Sequence, residues 1–225
     1  MEFRETLELM ASHNVQFVDF KVVDLWGKWR HVTIPASDFT EATLREGVGF
    51  DASNFGYRST ESSDLVLLPD LDRVFIDPNA EVPTLSVIGD VFDAVTFEPF
   101  ALDPRSVLKR AIACLCRTAG ATNVLMAPEY EFFIFEQAQY DISPNSIQSR
   151  VDSPEGFWNS SVGGFPLVEQ KQGYHQAPPA DRFFDMRNEI VGVLKRIGVP
   201  VKYHHHEVGT SQFEIEVHLG DALKQ

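Results

Sequence analysis

Cysteine is scarce in this chain: Cys114 and Cys116 are the only two in 225 residues. They stand two apart in a helical pattern, so their side chains diverge and cannot pair with each other. Both are expected to fill core space in a reducing compartment. Long apolar runs are also lacking, and no stretch of about 18 residues would span a bilayer as a helix. The opening residues, MEFRETLELM, are charged throughout and lack the basic-then-apolar layout of a secretion signal, which leaves the cytoplasm as the expected location. Basic charge is short as well, with 19 Lys and Arg against 33 Asp and Glu and a net charge of −14. The imbalance is concentrated in residues 1–104, which carry 19 acidic and 7 basic side chains, whereas residues 105–225 carry 14 and 12. A nucleic-acid partner wants the opposite sign. A phosphorylated substrate would approach such a chain only with cations. Internal repeats and low-complexity blocks are absent too.

What is present is 44% hydrophobic and 23% charged, enough for one large or two modest domains. Phe3, Leu7 and Met10 recur at helical spacing. VQFVDFKVVDLWGKWRHVTI alternates and turns at Gly27, which reads as a hairpin. Ser37 is placed to cap a short helix that Gly47 ends. DLVLLPD, RVFID and PTLSVIGDVF read as three short strands, so residues 1–103 are expected to form a small α+β domain. A second domain is expected over 104–225, opened by the helix that Asp103 and Pro104 start and Gly120 stops. NVLMAPEYEFFIF reads as one long aromatic strand, and residues 136–180 as a connection without period. Helical order returns with Phe183, Ile190, Leu194 and Ile197 on one side and Gly198 as the stop. The final GDALKQ reads as a helix just started, with Asp221 as its cap.

The chemistry-bearing residues are carboxylates in apolar strands. Glu129 and Glu131 stand two apart in APEYEFFIF and project to one face, roughly 6.5–7 Å apart. In YHHHEVGTSQFEIEV, a turn centred between Thr210 and Ser211 would set Glu207 directly across from Glu214, about 5 Å apart at Cβ. Such a cluster raises its own pKa values or recruits divalent cations. Oxygen ligands point to Mg²⁺ or Mn²⁺, and paired ions of that kind handle phosphates. Of the three histidines, at most His204 and His206 alternate onto one face and could share an ion; the three are expected to be ordinary strand residues, with one as a polar group in the site.

GFDASNFG near residue 50, ESSDLVLLPD, APEYEFFIF, KQGYHQAPPAD and HHHEVGTSQFEIEV follow one another as in glutamine synthetases of the bacterial and archaeal type. The chain resembles that family over essentially its whole length. The resemblance implies an α+β architecture, with an N-terminal β-grasp domain over 1–103 and the first part of a catalytic α/β domain, an antiparallel sheet with helices, over 104–225. The reaction it implies joins ATP, L-glutamate and ammonium through a γ-glutamyl phosphate to give glutamine, ADP and phosphate. By position, Glu131, Glu207 and Glu214 match ligands of one divalent cation and Glu129 a ligand of a second, with two to three Mg²⁺ or Mn²⁺ in a complete site. Asp51 matches the base that takes a proton from ammonium, and Tyr174 and Glu207 match other groups of that pocket. Lys202 falls where the family often contacts the nucleotide with a glutamate. The implied assembly is a homo-oligomer of stacked rings, a dodecamer, with sites between subunits.

The pattern also departs from the family. Asp51-Ala52-Ser53-Asn54 replaces Asp-Gly-Ser-Ser, and Lys171-Gln172-Gly173-Tyr174-His175 replaces Lys-Gly-Gly-Tyr-Phe. The family's further motifs, with another histidine and glutamate ligand and phosphate-binding arginines, do not occur in the 225 residues, so the chain is expected to be truncated and inactive alone. A sibling ligase that joins glutamate to an amine or polyamine is the alternative enzyme. A non-catalytic short form that assembles with complete subunits is the alternative without catalysis.

Overall fold

The computed structural model describes residues 1–55, 59, 61, 63–159 and 167–224. Gly56 and Ser62 of the quoted motifs, residues 160–166 of the long connection and Gln225 lie outside them. Two compact units result, Met1–Val124 and Leu125–Gln225.

In the first unit, α1 spans Phe3–Ser12, and β1 (Phe17–Val23) and β2 (Trp29–Pro35) form the expected hairpin. Gly27 turns it at φ 78°, a left-handed conformation that costs glycine little. Helix α2 (Glu41–Glu46) is followed by β3 (Val48–Asp51), β4 (Asp64–Ile76), β5 (Thr84–Asp93) and α3 (Pro104–Ala119). The sheet order is β2-β1-β5-β4-β3, with β1 and β5 parallel and the remaining pairs antiparallel. Alternation buries Val18, Phe20 and Val22 of β1 with Leu65, Leu67, Leu85, Val87 and Val91. Each such side chain stabilises the fold by about 1.5–3 kcal/mol relative to exposure.

Several details differ from the sequence reading. Thr40, not Ser37, precedes α2, with its N–H bonded to the Thr43 hydroxyl at 3.0 Å, while the Ser37 hydroxyl donates to Asp38 at 3.0 Å. The segments DLVLLPD and RVFID are one strand, β4, because a register shift between Asp70 and Val74 absorbs the irregular stretch without ending the pairing. Helix α3 has the expected Asp103 cap, 2.8 Å from the Ser106 N–H, and Gly120 ends it in the left-handed region. Arg105 on α3 reaches Asp90 at 2.9 Å, which ties the helix to β5. Cys114 is exposed and Cys116 half-buried, so neither fills a core here. Ser106 is the only buried residue of α3.

In the second unit, β6 (Leu125–Met126) and β7 (Glu129–Phe133) replace the single long strand. The break falls at Ala127-Pro128, where proline has no N–H to give a ladder. The supposed connection contains a hairpin, β8 (Gln137–Ser143) and β9 (Ser146–Asp152). Helix α4 (Phe184–Arg196) precedes β10 (Val201–His206), β11 (Gln212–Val217) and β12 (Gly220–Asp221). Strands β10-β11-β7 make an antiparallel sheet, and β12 pairs with β6. Residues 222–224 form a turn in place of the expected helix, with the Leu223 N–H on the Asp221 carboxylate at 3.0 Å. One face of the sheet packs on α4: Arg187 is 1% exposed, stacks 4.5 Å over Phe213 and pairs with Asp181 through two bonds of 2.8 and 2.5 Å.

Candidate metal centre

The opposite face of the β10-β11-β7 sheet is lined with carboxylates. Directly opposed residues in antiparallel strands share a face. His205 lies across from Glu214 and Glu214 across from Glu131, while Tyr203 lies across from Glu216 and Glu216 across from Glu129. Three strands thus bring Glu129, Glu131, Glu214, Glu216 and His205 to one surface.

The hairpin register corrects one expectation. His206 pairs with Phe213, and the Glu207 N–H bonds the Gln212 carbonyl at 2.7 Å, so the turn is centred on Gly209-Thr210. Glu207 is therefore diagonal to Glu214. Gln212 closes the tighter turn, its N–H on the Gly209 carbonyl at 3.1 Å and its side-chain oxygen on the Gly209 N–H at 3.1 Å. The two glutamates still meet. His205 bridges them, with Nδ1 3.5 Å from Glu207 and Nε2 3.4 Å from Glu214.

His204 and His206 share a face, as alternation requires, and it is not the acidic one. His205 is the one on the acidic face, whereas His204 and His206 turn to the helix side. His204 Nδ1 accepts from Arg187 at 3.2 Å, and the His206 ring sits edge-on to Phe213 at 4.9 Å. The sequence reading missed both His205 and Glu216. Their signal was parity, since each stands two residues from an assigned ligand on the same strand or its continuation.

Glu214 is the electrostatic centre. It is 5% exposed, and its Oε1 is buried without a hydrogen-bond donor among the described residues. Burial first, then the Glu207 carboxylate and the charge of Glu129, push its pKa up to about 7 against the opposing influence of His205. An acidic group so placed is stabilised either by a proton or by a cation. One ligand atom each of His205, Glu214 and Glu216 lies within 4.8 Å of the others. The donor set of carboxylates with one imidazole suits Mg²⁺ or Mn²⁺, and the unpartnered Glu214 oxygen is a direct sign of the fit.

The remaining assigned residues are placed as follows. Glu129 and Glu131 are exposed on β7, and Glu131 accepts from the Gln212 amide at 2.6 Å. Tyr174 is exposed, its ring 4.3 Å from His175 and 5.5 Å edge-on to His205. Lys202 reaches Glu216 at 2.9 Å and the Tyr203 hydroxyl at 3.2 Å. The Glu216 bond raises the Lys202 pKa, and bonds from Tyr203 and Lys202 hold the Glu216 carboxyl below its usual range. Asp51 belongs to the first unit, at the exposed end of β3. The Ser53 N–H, 2.9 Å away, lowers its pKa.

A β-grasp unit followed by an antiparallel sheet with an acidic face defines a particular two-domain class. The family model "Glutamine synthetase, beta-Grasp domain" matches residues 14–94, and "Glutamine synthetase, catalytic domain" matches residues 101–225. The chain belongs to the glutamine synthetase family. It is 39% identical over 225 residues to a glutamine synthetase of Aquifex aeolicus, covering 98% of this chain and 48% of that protein. It is 37% identical over 220 residues to a 3-hydroxylaminophenol mutase of Cupriavidus pinatubonensis, covering 94% and 46%. A cryo-EM structure of Plasmodium falciparum glutamine synthetase shares the fold, with TM-score 0.85 and 24% identity over 100% of this chain and 45% of that one. The chain spans about half the length of the curated relatives it matches. Among the described residues, no helix is long and apolar enough to cross a membrane.

Proposed function

We propose that this chain carries the divalent-cation centre and the ammonium-side carboxylate of a glutamate–ammonia ligase, with residues 1–103 as its β-grasp domain and 104–225 within its catalytic domain. The observation that carries the reading is Glu214, buried with an unpartnered oxygen among like charges. Glu131, Glu207 and Glu214 would hold one cation and Glu129 a second, with His205 and Glu216 at the margin. Bound Mg²⁺ or Mn²⁺ supplies charge neutralisation while the γ-phosphoryl group of ATP passes to the γ-carboxylate of glutamate, releasing ADP. Ammonium is not nucleophilic. Asp51 and Glu207 attract it as a cation beside Tyr174, and Asp51 accepts the proton that frees its lone pair. The nitrogen then attacks the acyl carbon of γ-glutamyl phosphate, and phosphate leaves. The assembly we infer is a cytoplasmic homo-oligomer, a dodecamer of two stacked rings, in which Asp51 of one copy serves the acidic face of a neighbouring copy.

Mn²⁺ titration of the protein and of Glu131→Gln and Glu207→Gln tests the centre, because each change keeps the shape and removes a charge. Unchanged affinity in both variants would end the reading. In an active assembly, Asp51→Asn should leave Mn²⁺ affinity intact while abolishing amide formation. A second reading, ligation of an alkylamine, is favoured by one observation: the His175 ring lies 4.4 Å from His205 and 4.3 Å from Tyr174, an aromatic wall suited to an alkylammonium. Rates with ammonium against methylamine and a polyamine separate the two.

A further inference from the structure

Behind the acidic face lies a buried polar cluster that the cation centre does not use. Glu155, His206, Ser153 and Ser211 are each 0% exposed. The Glu155 carboxylate accepts from the Arg182 N–H at 2.8 Å, from His206 Nε2 at 3.1 Å and from the Ser211 hydroxyl at 3.4 Å. The Ser153 hydroxyl bonds that of Ser211 and accepts from the Glu155 N–H at 3.2 Å. His206 Nδ1 lies 2.6 Å from the Glu207 carbonyl oxygen. The partner of Nδ1 is a carbonyl oxygen, which can only accept, so the ring donates to it from Nδ1.

The place of that second bond is informative. In a regular antiparallel pair, Glu207 and Gln212 would exchange both of their backbone hydrogen bonds. Only one forms, from the Glu207 N–H, because the Gln212 N–H turns to the Gly209 carbonyl at 3.1 Å. The Glu207 carbonyl has lost its ladder donor where the strand becomes the turn. The His206 ring supplies the replacement. Gly173 closes the space on the other side: a Cβ there would stand 2.4 Å from the Glu207 oxygen and 2.5 Å from His206 Cε1.

We propose that His206, held from behind by Glu155, is a positioning residue for Glu207, fixing the peptide from which that carboxylate reaches the cation centre. The proposal rests on the reading of Glu207 as a cation ligand.

Two substitutions separate positioning from bulk stability. His206→Asn keeps a side-chain N–H where Nδ1 sits and gives up the reach to Glu155. His206→Gln keeps the reach to Glu155 and gives up the donor to Glu207. Positioning expects the Asn variant to bind Mn²⁺ within about 3-fold of the parent and the Gln variant to lose about 10–100-fold, the usual effect of removing an outer partner of a ligand. Stability should run the other way, because Asn leaves the Glu155 carboxylate buried without its imidazole. Calorimetric or EPR titration with Mn²⁺, beside urea denaturation, reads both orders. Affinities that follow stability would overturn the proposal. Should His206→Asn not fold, adding Glu155→Gln removes the stranded charge and the same comparison stands. Glu207→Gln is the control. If it binds Mn²⁺ like the parent, the cation reading falls and this proposal with it. If it binds weakly while His206→Gln binds normally, positioning alone is refuted.

Discussion

Replacing Glu214 by glutamine should stabilise the metal-free protein and destroy its response to Mn²⁺. Glu214 is 5% exposed, and one oxygen meets no donor among the described residues, yet the chain keeps a carboxylate there. Its pKa rises from 4.5 to about 7 on folding, chiefly through burial and then through Glu207. At about 1.4 kcal/mol per pH unit, that rise costs the folded state about 3 kcal/mol once the group is ionised. The sign follows from proton uptake: the folded protein binds the proton more tightly. The associated stability is therefore full below pH 4.5, falls as pH rises towards 7, and is flat and lowest above that. Glutamine has the shape and no charge. In chelator, Glu214→Gln should exceed the parent by less than about 1 kcal/mol at pH 5 and by about 3 kcal/mol at pH 8. Comparing the two proteins at each pH cancels the titrating groups that do not couple to Glu214. Hydrogen exchange of the β7, β10 and β11 amides reads the stability of this sheet rather than of the whole chain. A gap that does not widen between pH 5 and pH 8 would refute the argument. With Mn²⁺ at 100 times its Kd, the parent should gain about 2.7 kcal/mol and the variant much less.

Other substitutions probe the supports. Arg187→Met leaves the Asp181 carboxylate buried and unpaired, and should cost about 3–5 kcal/mol by urea denaturation; Asp181→Leu added to it should recover much of the loss. Gly47→Ala places a Cβ 2.3 Å from Val66 at φ 69°, so β-grasp stability should fall by more than about 1 kcal/mol in a thermal melt. Lys202→Ala releases Glu216 from its ion pair, and calorimetry should then show tighter Mn²⁺ binding.

The elements legible in the sequence were those whose signals are local. Asp103-Pro104 and Gly120 marked both ends of α3, and Gly27 marked the first turn. The acidic motifs were legible because strand side chains alternate with period two, so Glu129 and Glu131 had to share a face. The β8–β9 hairpin was not legible, because it lacks a buried face to impose alternation: Tyr140 is 82%, Ile142 71% and Ile147 81% exposed. The centre of the second hairpin was missed by one residue because Gln212 closes its turn through a side chain, a bond with no simple sequence signature. The shift changed the cross-strand partner of His205 from Glu216 to Glu214 and left it on the same face in either case.

The same period of two explains why a costly cluster can exist at all. Glu214 and Phe213 are neighbours in sequence and point to opposite sides of β11. The side of Phe213 meets Phe132, Phe183, His206 and Arg187, an aromatic and cationic layer that holds the strand in place. The side of Glu214 can then be assembled from groups that repel one another, since its geometry is set by the packing behind it. A one-residue slip of β11 would drive its glutamates into the aromatic layer and expose Phe213. Register is therefore enforced by the burial of one face, and the acidic face inherits that precision. On this argument the ligands are oriented before any cation arrives, and cation binding relieves a repulsion that the fold has already imposed.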